Sequence, residues 1–115
     1  MGNPVVHFEV HSEHSPELRR FYAELFGWKL GVVPDGSYAL VDTDADGAGI
    51  RGGIAQAAED LRGVTVYIQV PDIDAHLAQI RQAGGSVLRE RTESGPITTA
   101  IFLDPDGNAI GLVEE

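Results

Sequence analysis

The chain has no cysteine, one methionine and one tryptophan, and only 8 Lys and Arg against 18 Asp and Glu in 115 residues. Without cysteine, disulfides, thiolate zinc sites, iron–sulfur clusters and a cysteine nucleophile are all excluded. The shortage of cations leaves a formal charge of −10, spread along the chain: residues 1–57 carry 4 basic and 8 acidic side chains, residues 58–115 carry 4 and 10. Such a field repels nucleic acid and anionic membranes, whose binding relies on clustered Lys and Arg. It favours a cationic ligand, although its ordinary use is to keep a surface soluble. Long apolar runs are missing too, for none approaches the roughly 18 to 20 residues of a membrane span. Val5 opens the first apolar stretch with no basic leader before it, so a cytoplasmic protein is the default expectation. Aromatic residues make up 7% of the chain, which leaves few surfaces for stacking a ligand.

What is present is a repeat. An offset of 58 residues sets His7-Phe8-Glu9-Val10 over Thr65-Val66-Tyr67-Ile68 and Gly53-Ile54 over Gly111-Leu112. Residues 1–115 are expected to form a single domain of two units, approximately 1–57 and 58–115. In the first unit residues 5–11 alternate as a strand, with Val6, Phe8 and Val10 on one face and His7, Glu9 and His11 on the other. A helix follows, with Ser15 as expected N-cap, Pro16 at the first position, a stripe of Leu18, Phe21, Tyr22 and Leu25, and Gly27 at its end. Residues 28–33, 38–41 and 50–55 read as strands between turns, and residues 55–63 as a linker. The second unit repeats the plan. Its strand covers 64–70, its helix starts at Asp72 or Asp74, carries Ile73, Leu77 and Ile80 and stops at Gly84-Gly85, and its further strands cover 86–89, 98–103 and 108–113. The expected class is α+β. Each βαβββ unit is too small to bury its own sheet face, so the two should share one curved, partly closed mixed sheet around a cavity, with the helices packed outside.

His7-Phe8-Glu9-Val10, Phe21-Tyr22, Leu25-Phe26-Gly27-Trp28-Lys29, Val70-Pro71-Asp72-Ile73-Asp74, Ala83-Gly84-Gly85 and Asp104-Pro105-Asp106-Gly107-Asn108 occur in an order that resembles the vicinal oxygen chelate superfamily. That superfamily includes glyoxalase I, extradiol dioxygenases, fosfomycin-resistance enzymes and bleomycin-resistance proteins, and the likeness is greatest to its small single-domain, glyoxalase-like members. The resemblance implies a homodimer with a small-molecule cavity inside cupped sheets, and in many members a divalent metal held by His or Gln paired with Glu. Carried over residue by residue, the four metal positions fall on His7, Gly53, Thr65 and Gly111. Only His7 is a good ligand, and both carboxylate positions are glycine. A divalent ion takes four or more N or O ligands, so no metal cofactor is expected and the resemblance argues against glyoxalase I activity.

Two classes of function follow. One is a metal-free small-molecule-binding protein of the bleomycin-resistance kind, whose ligand the acidic charge suggests is cationic. The other is an enzyme: either a metal-free one with Glu9 as general base, or a metal-dependent lyase, isomerase or dioxygenase using His7 and Glu9 with waters or a chelating substrate. Glu9 faces the expected cavity, and enclosure raises the pKa of a carboxyl toward that of a useful base. Alternate strand residues stand roughly 6.6 to 6.8 Å apart, so His7, Glu9 and His11 should not all converge on one ion. Arg51, two residues before Gly53, should share its inward face and lie near Glu9, as a salt-bridge partner or an anchor for a substrate anion. Thr65, Tyr67 and Gln69 form the matching face of the second unit and could orient a ligand or simply fill space. Asp42 to Gly47 mimics the start of a calcium loop, but its twelfth position is Gly53 and strands flank it, so a polar hairpin loop is expected. His14 and His76 are expected in solvent. Gly52-Gly53 lacks the Lys and helix of a phosphate cradle.

Overall fold

The computed structural model describes residues 2–44 and 46–114. Eight strands and two helices follow the expected order: β1 (Val5–Ser12), α1 (Ser15–Phe26), β2 (Lys29–Val32), β3 (Tyr38–Asp42), β4 (Arg51–Gln56), β5 (Gly63–Val70), α2 (Ile73–Gln82), β6 (Ser86–Ser94), β7 (Ile97–Leu103) and β8 (Ala109–Glu114). The class is α+β, and parallel and antiparallel pairings are mixed. The chain divides into two compact units, one of residues His7–Val64, the other of the residues up to Val6 together with those from Thr65 onward.

In the first unit the strand order is β2-β3-β4-β1. The first and last strands run parallel, with Glu9 opposite Gly53 and His7 opposite Arg51, and the other pairs are antiparallel. In the second unit the order is β5-β8-β7-β6, and Tyr67 stands opposite Gly111 across a parallel pair. Glu9 with Gly53 and Tyr67 with Gly111 are the same register position 58 residues apart, so the repeat seen in the sequence is also a repeat of strand pairing.

Each unit packs its helix on one sheet face. Phe8, Val10, Leu18, Tyr22, Trp28 and Leu30 close over buried Ala39, Val41 and Ile54. In the second unit Val70, Ile73, Leu77, Ala100 and Leu112 are buried, with Ile80 packed against them. The stripe expected on α1 is narrower than its spacing implied. Leu18 and Tyr22 face the core, but Phe21 is 50% and Leu25 62% exposed. The left-handed turn at Gly27 (φ 70°) carries Trp28 back so that it stacks on Tyr22 with centroids 4.7 Å apart, and Trp28 rather than Leu25 completes that face.

The helix starts also differ from one another. Asp72 caps α2 as expected, accepting from the Ala75 backbone N–H at 3.1 Å. Ser15 does not cap α1. Its backbone is already helical, His14 takes the cap position without a side-chain bond, and the buried Ser15 hydroxyl donates back to the Ser12 carbonyl at 3.3 Å.

Candidate functional site

The candidate site lies in the first unit, on the sheet face opposite α1. Alternation along β1 puts His7, Glu9 and His11 there, and residues opposite one another on paired strands share a face, so Arg51, Gly53 and Ala55 of β4 belong to it as well. Tyr38 enters the same face from β3, opposite Ala55.

These side chains form one hydrogen-bonded chain. The Tyr38 hydroxyl donates to Glu9 Oε2 at 3.0 Å. A phenol has a single proton, so its oxygen accepts from His7 Nε2, 3.1 Å away, and this selects the tautomer of His7 with hydrogen on Nε2. The other carboxylate oxygen, Glu9 Oε1, meets His11 Nε2 at 3.1 Å, and His11 Nδ1 donates to the Gly63 carbonyl at 3.2 Å. A carbonyl only accepts, so Nδ1 carries hydrogen and a further proton lies between His11 and Glu9. The side chains of His7, Glu9 and His11 are 26%, 17% and 5% exposed. Both imidazoles therefore reach Glu9, but on opposite oxygens, and they meet one carboxylate without meeting each other.

Gly53 makes room for this chain. A Cβ on residue 53 would stand 1.8 Å from the Tyr38 hydroxyl oxygen and 2.2 Å from Cζ, so no side chain there can coexist with this placement of Tyr38. On the opposite face a Cβ on Gly52 would stand 2.3 Å from the Phe8 ring. The Gly52-Gly53 pair thus admits one ring on each side of β4. In the second unit a Cβ on Gly111 would meet Tyr67 Cδ2 at 2.3 Å. Of eight aromatic residues, Phe8, Phe21, Tyr22, Phe26 and Trp28 form one cluster, while Tyr38 and Tyr67 each cover a glycine.

The other expected residues are placed as follows. Arg51 is on the expected face but exposed, and among the described residues no hydrogen bond or ion pair joins it to Glu9. Thr65 and Tyr67 are buried at 1% and 7% exposure, and Gln69 is half-buried with its backbone N–H donating to the Pro4 carbonyl. The loop after Asp42 is closed on itself: Asp44 accepts from the Asp46 and Ala48 backbone N–H groups, and the Thr43 hydroxyl donates to the Ile50 carbonyl. Ala45 lies outside the described residues. His14 is exposed, whereas His76, also expected in solvent, is half-buried because its ring turns back to the Asp72 carbonyl, 3.1 Å from Nδ1. An open apolar groove of about 330 Å³ beside the start of α1, lined by Ser12, His14, Glu17, Leu18 and Phe21, contains none of the site's hydrogen-bonded side chains.

Tyr38 was missed by sequence reasoning. Strand alternation alone gives no partner for it, because the eight residues between β3 and β4 do not fix the register of that hairpin, and two-residue turns would.

The sequence model for the Glyoxalase-like domain matches residues 7–113, both halves of the repeat. The chain belongs to the glyoxalase-like domain family. No curated protein sequence matches it. Among solved structures it is similar to a glyoxalase/bleomycin resistance protein/dioxygenase superfamily member from Vibrio splendidus 12B01, at 18% identity and TM-score 0.70 over 98% of this chain and 99% of that one. It is also similar to the methylmalonyl-CoA epimerase of Streptomyces coelicolor in complex with 2-nitronate-propionyl-CoA, at 17% identity and TM-score 0.65 over 100% of this chain and 99% of that one. A third is a protein of Legionella pneumophila described as an NAD-dependent benzaldehyde dehydrogenase, at 17% identity and TM-score 0.69 over 94% and 96% of the two chains. At such identities the likeness is one of fold, and the different activities named on it show that fold alone does not select a reaction.

Many superfamily members hold a divalent metal, which requires N or O ligands converging on one point; the residues at those positions here are His7, Gly53, Thr65 and Gly111. They do not meet that requirement. The volume for a ligand at position 53 belongs to the Tyr38 phenol and that at 111 to the Tyr67 ring, and among the described residues no group of three or more His, Asp or Glu is arranged to hold an ion.

Proposed function

We propose that this glyoxalase-like protein binds a small molecule at a site that works without a resident metal, with His7 and Glu9 as the recognising groups and Tyr38 and His11 holding them. The observation that carries this reading is the Tyr38 hydroxyl, bonded to both Glu9 and His7 within the volume that a side chain on residue 53 would need. The chain's charge of −10 and the carboxylate of Glu9 favour a ligand bearing positive charge or a strong hydrogen-bond donor. The epimerase complex supports small-molecule binding on this fold.

One observation favours turnover as well. Glu9 is held on both oxygens, by Tyr38 on one side and by His11 on the other, and His11 is itself oriented by a backbone carbonyl. Such an arrangement suits a general base that must point one way. The metal-dependent alternative through His7 and Glu9 loses support, because the phenol oxygen is bonded to both of the atoms that would have to bind the ion.

A thermal-shift screen of small cationic and neutral compounds against the parent protein tests the reading. Binders at this site should lose affinity in His7→Ala and Glu9→Gln, and cationic ones should weaken as salt rises. Binders indifferent to both substitutions would overturn it. If a binder is also converted, Glu9→Gln should abolish conversion and spare most of the binding. A homodimer is part of this proposal, since Phe21, Leu25 and Phe26 leave apolar surface on α1 to be covered, and sedimentation showing a stable monomer at micromolar concentration would contradict it.

A further inference from the structure

We infer that Tyr38 and Gly53 are one exchangeable unit, in which a phenol takes the volume that a metal-binding side chain on residue 53 would need and thereby keeps metal away from His7 and Glu9. The inference rests on the metal-free reading above. Its basis is geometric. Gly53 is the register partner of Glu9, so a side chain at 53 would rise from the sheet beside the Glu9 carboxylate. The phenol oxygen now in that volume lies 3.0 Å from Glu9 Oε2 and 3.1 Å from His7 Nε2. A carboxylate brought there in place of the ring would have an imidazole and a carboxylate at its side, with the second imidazole, His11, on the far oxygen of Glu9. The His7 imidazole and two carboxylates, with water completing the shell and His11 holding Glu9 from its far oxygen, form a donor set that zinc and similar divalent ions accept. Glycine at 53 and tyrosine at 38 depend on each other, because the ring excludes any Cβ and the empty position admits the ring.

Tyr38 is then a positioning residue as well as an excluder. Its hydroxyl supplies the proton that one Glu9 oxygen receives and the acceptor that fixes the tautomer of His7. Packing alone would require the ring but not the oxygen, so Tyr38→Phe separates the two roles.

The exchange is tested by calorimetric titration with zinc chloride of the parent, Gly53→Glu, Tyr38→Ala and the double variant Tyr38→Ala/Gly53→Glu. The double variant should bind one zinc ion per chain about 100-fold or more tighter than the parent and either single variant. Gly53→Glu alone binding as tightly as the double variant would overturn the inference, and so would a folded double variant with no gain over a metal-free parent. One tight zinc ion in the parent would instead overturn the metal-free reading on which the inference stands. Should the double variant not fold, Tyr38→Phe decides. Imidazole nitrogen NMR should show His7 losing its fixed Nε2–H form while His11 keeps its contact to Gly63, and an unchanged His7 signature would overturn the inference.

Discussion

Glu9 of β1 and Tyr67 of β5 hold equivalent places in the two halves of the chain, each directly across a parallel strand pair from a glycine, Gly53 and Gly111. The halves fill the space above that glycine differently. In the second, Tyr67 itself lies over Gly111. In the first, the acid at the equivalent position leaves the space to Tyr38 from the neighbouring strand. The repeat has kept the backbone vacancy and varied what enters it, and the polar cluster arises from that variation.

The glycines over which tyrosines lie should resist substitution in proportion to what a Cβ would meet. Gly111→Ala brings a Cβ to within 2.7 Å of Tyr67 Cγ, close to the main chain and hard to displace; overpacking of this kind costs about 1–3 kcal/mol. Gly31 of β2 has no atom within 4 Å of its Cβ position, so Gly31→Ala should be neutral or slightly stabilising. Urea unfolding of the two variants reads the difference, and equal midpoints would mean that the Tyr67 ring moves freely.

The two helices should respond differently at their starts. Asp72→Ala removes the side-chain bond to the Ala75 N–H and should lower stability by about 1 kcal/mol. His14→Ala removes no cap bond, for none exists, and should leave the thermal midpoint nearly unchanged.

Glu114 links β8 to the start of α2. Its Oε2 accepts from the Ile73 backbone N–H at 2.9 Å, and Arg91 approaches both of its oxygens at 3.4 Å. The Ile73 N–H first, and Arg91 after it, hold the Glu114 carboxyl below the ordinary glutamate range. Because the native pKa is the lower one, the contribution is full above the unfolded value, roughly 4.3, and is lost as pH falls through the native value. The Asn108 side chain, then its backbone N–H, lowers Asp104 in the same direction. Stability should therefore decline on acidification below that value, and Glu114→Gln should be less stable at neutral pH but less sensitive to acid. Urea midpoints at neutral and acid pH check this, and parallel losses in parent and variant would contradict it.

The element order, the repeat and the α2 cap were legible because they depend on local chemistry: alternation along residues 5–11, an Asp before an apolar helix, and glycines at helix ends. The sequence also placed His7, Glu9 and His11 on one face. It did not show that Glu9 joins both imidazoles, because strand spacing locates Cα atoms and the long side chains lean along the strand. The expected Glu9–Arg51 contact failed for the same reason, since a shared face does not specify where a flexible guanidinium ends, and Arg51 extends to solvent. Phe21 and Leu25 were misjudged because helical periodicity sees one element at a time, and Trp28, beyond the helix, took the inner ground against Tyr22.

Whether the site works without a resident metal is decided by elemental analysis of protein purified without chelators, then dialysed against zinc and freed of excess. With the Tyr38 phenol bonded to both Glu9 and His7, far less than one ion per chain is expected, unchanged in His7→Ala. One ion per chain in the parent, lost in His7→Ala, would contradict it.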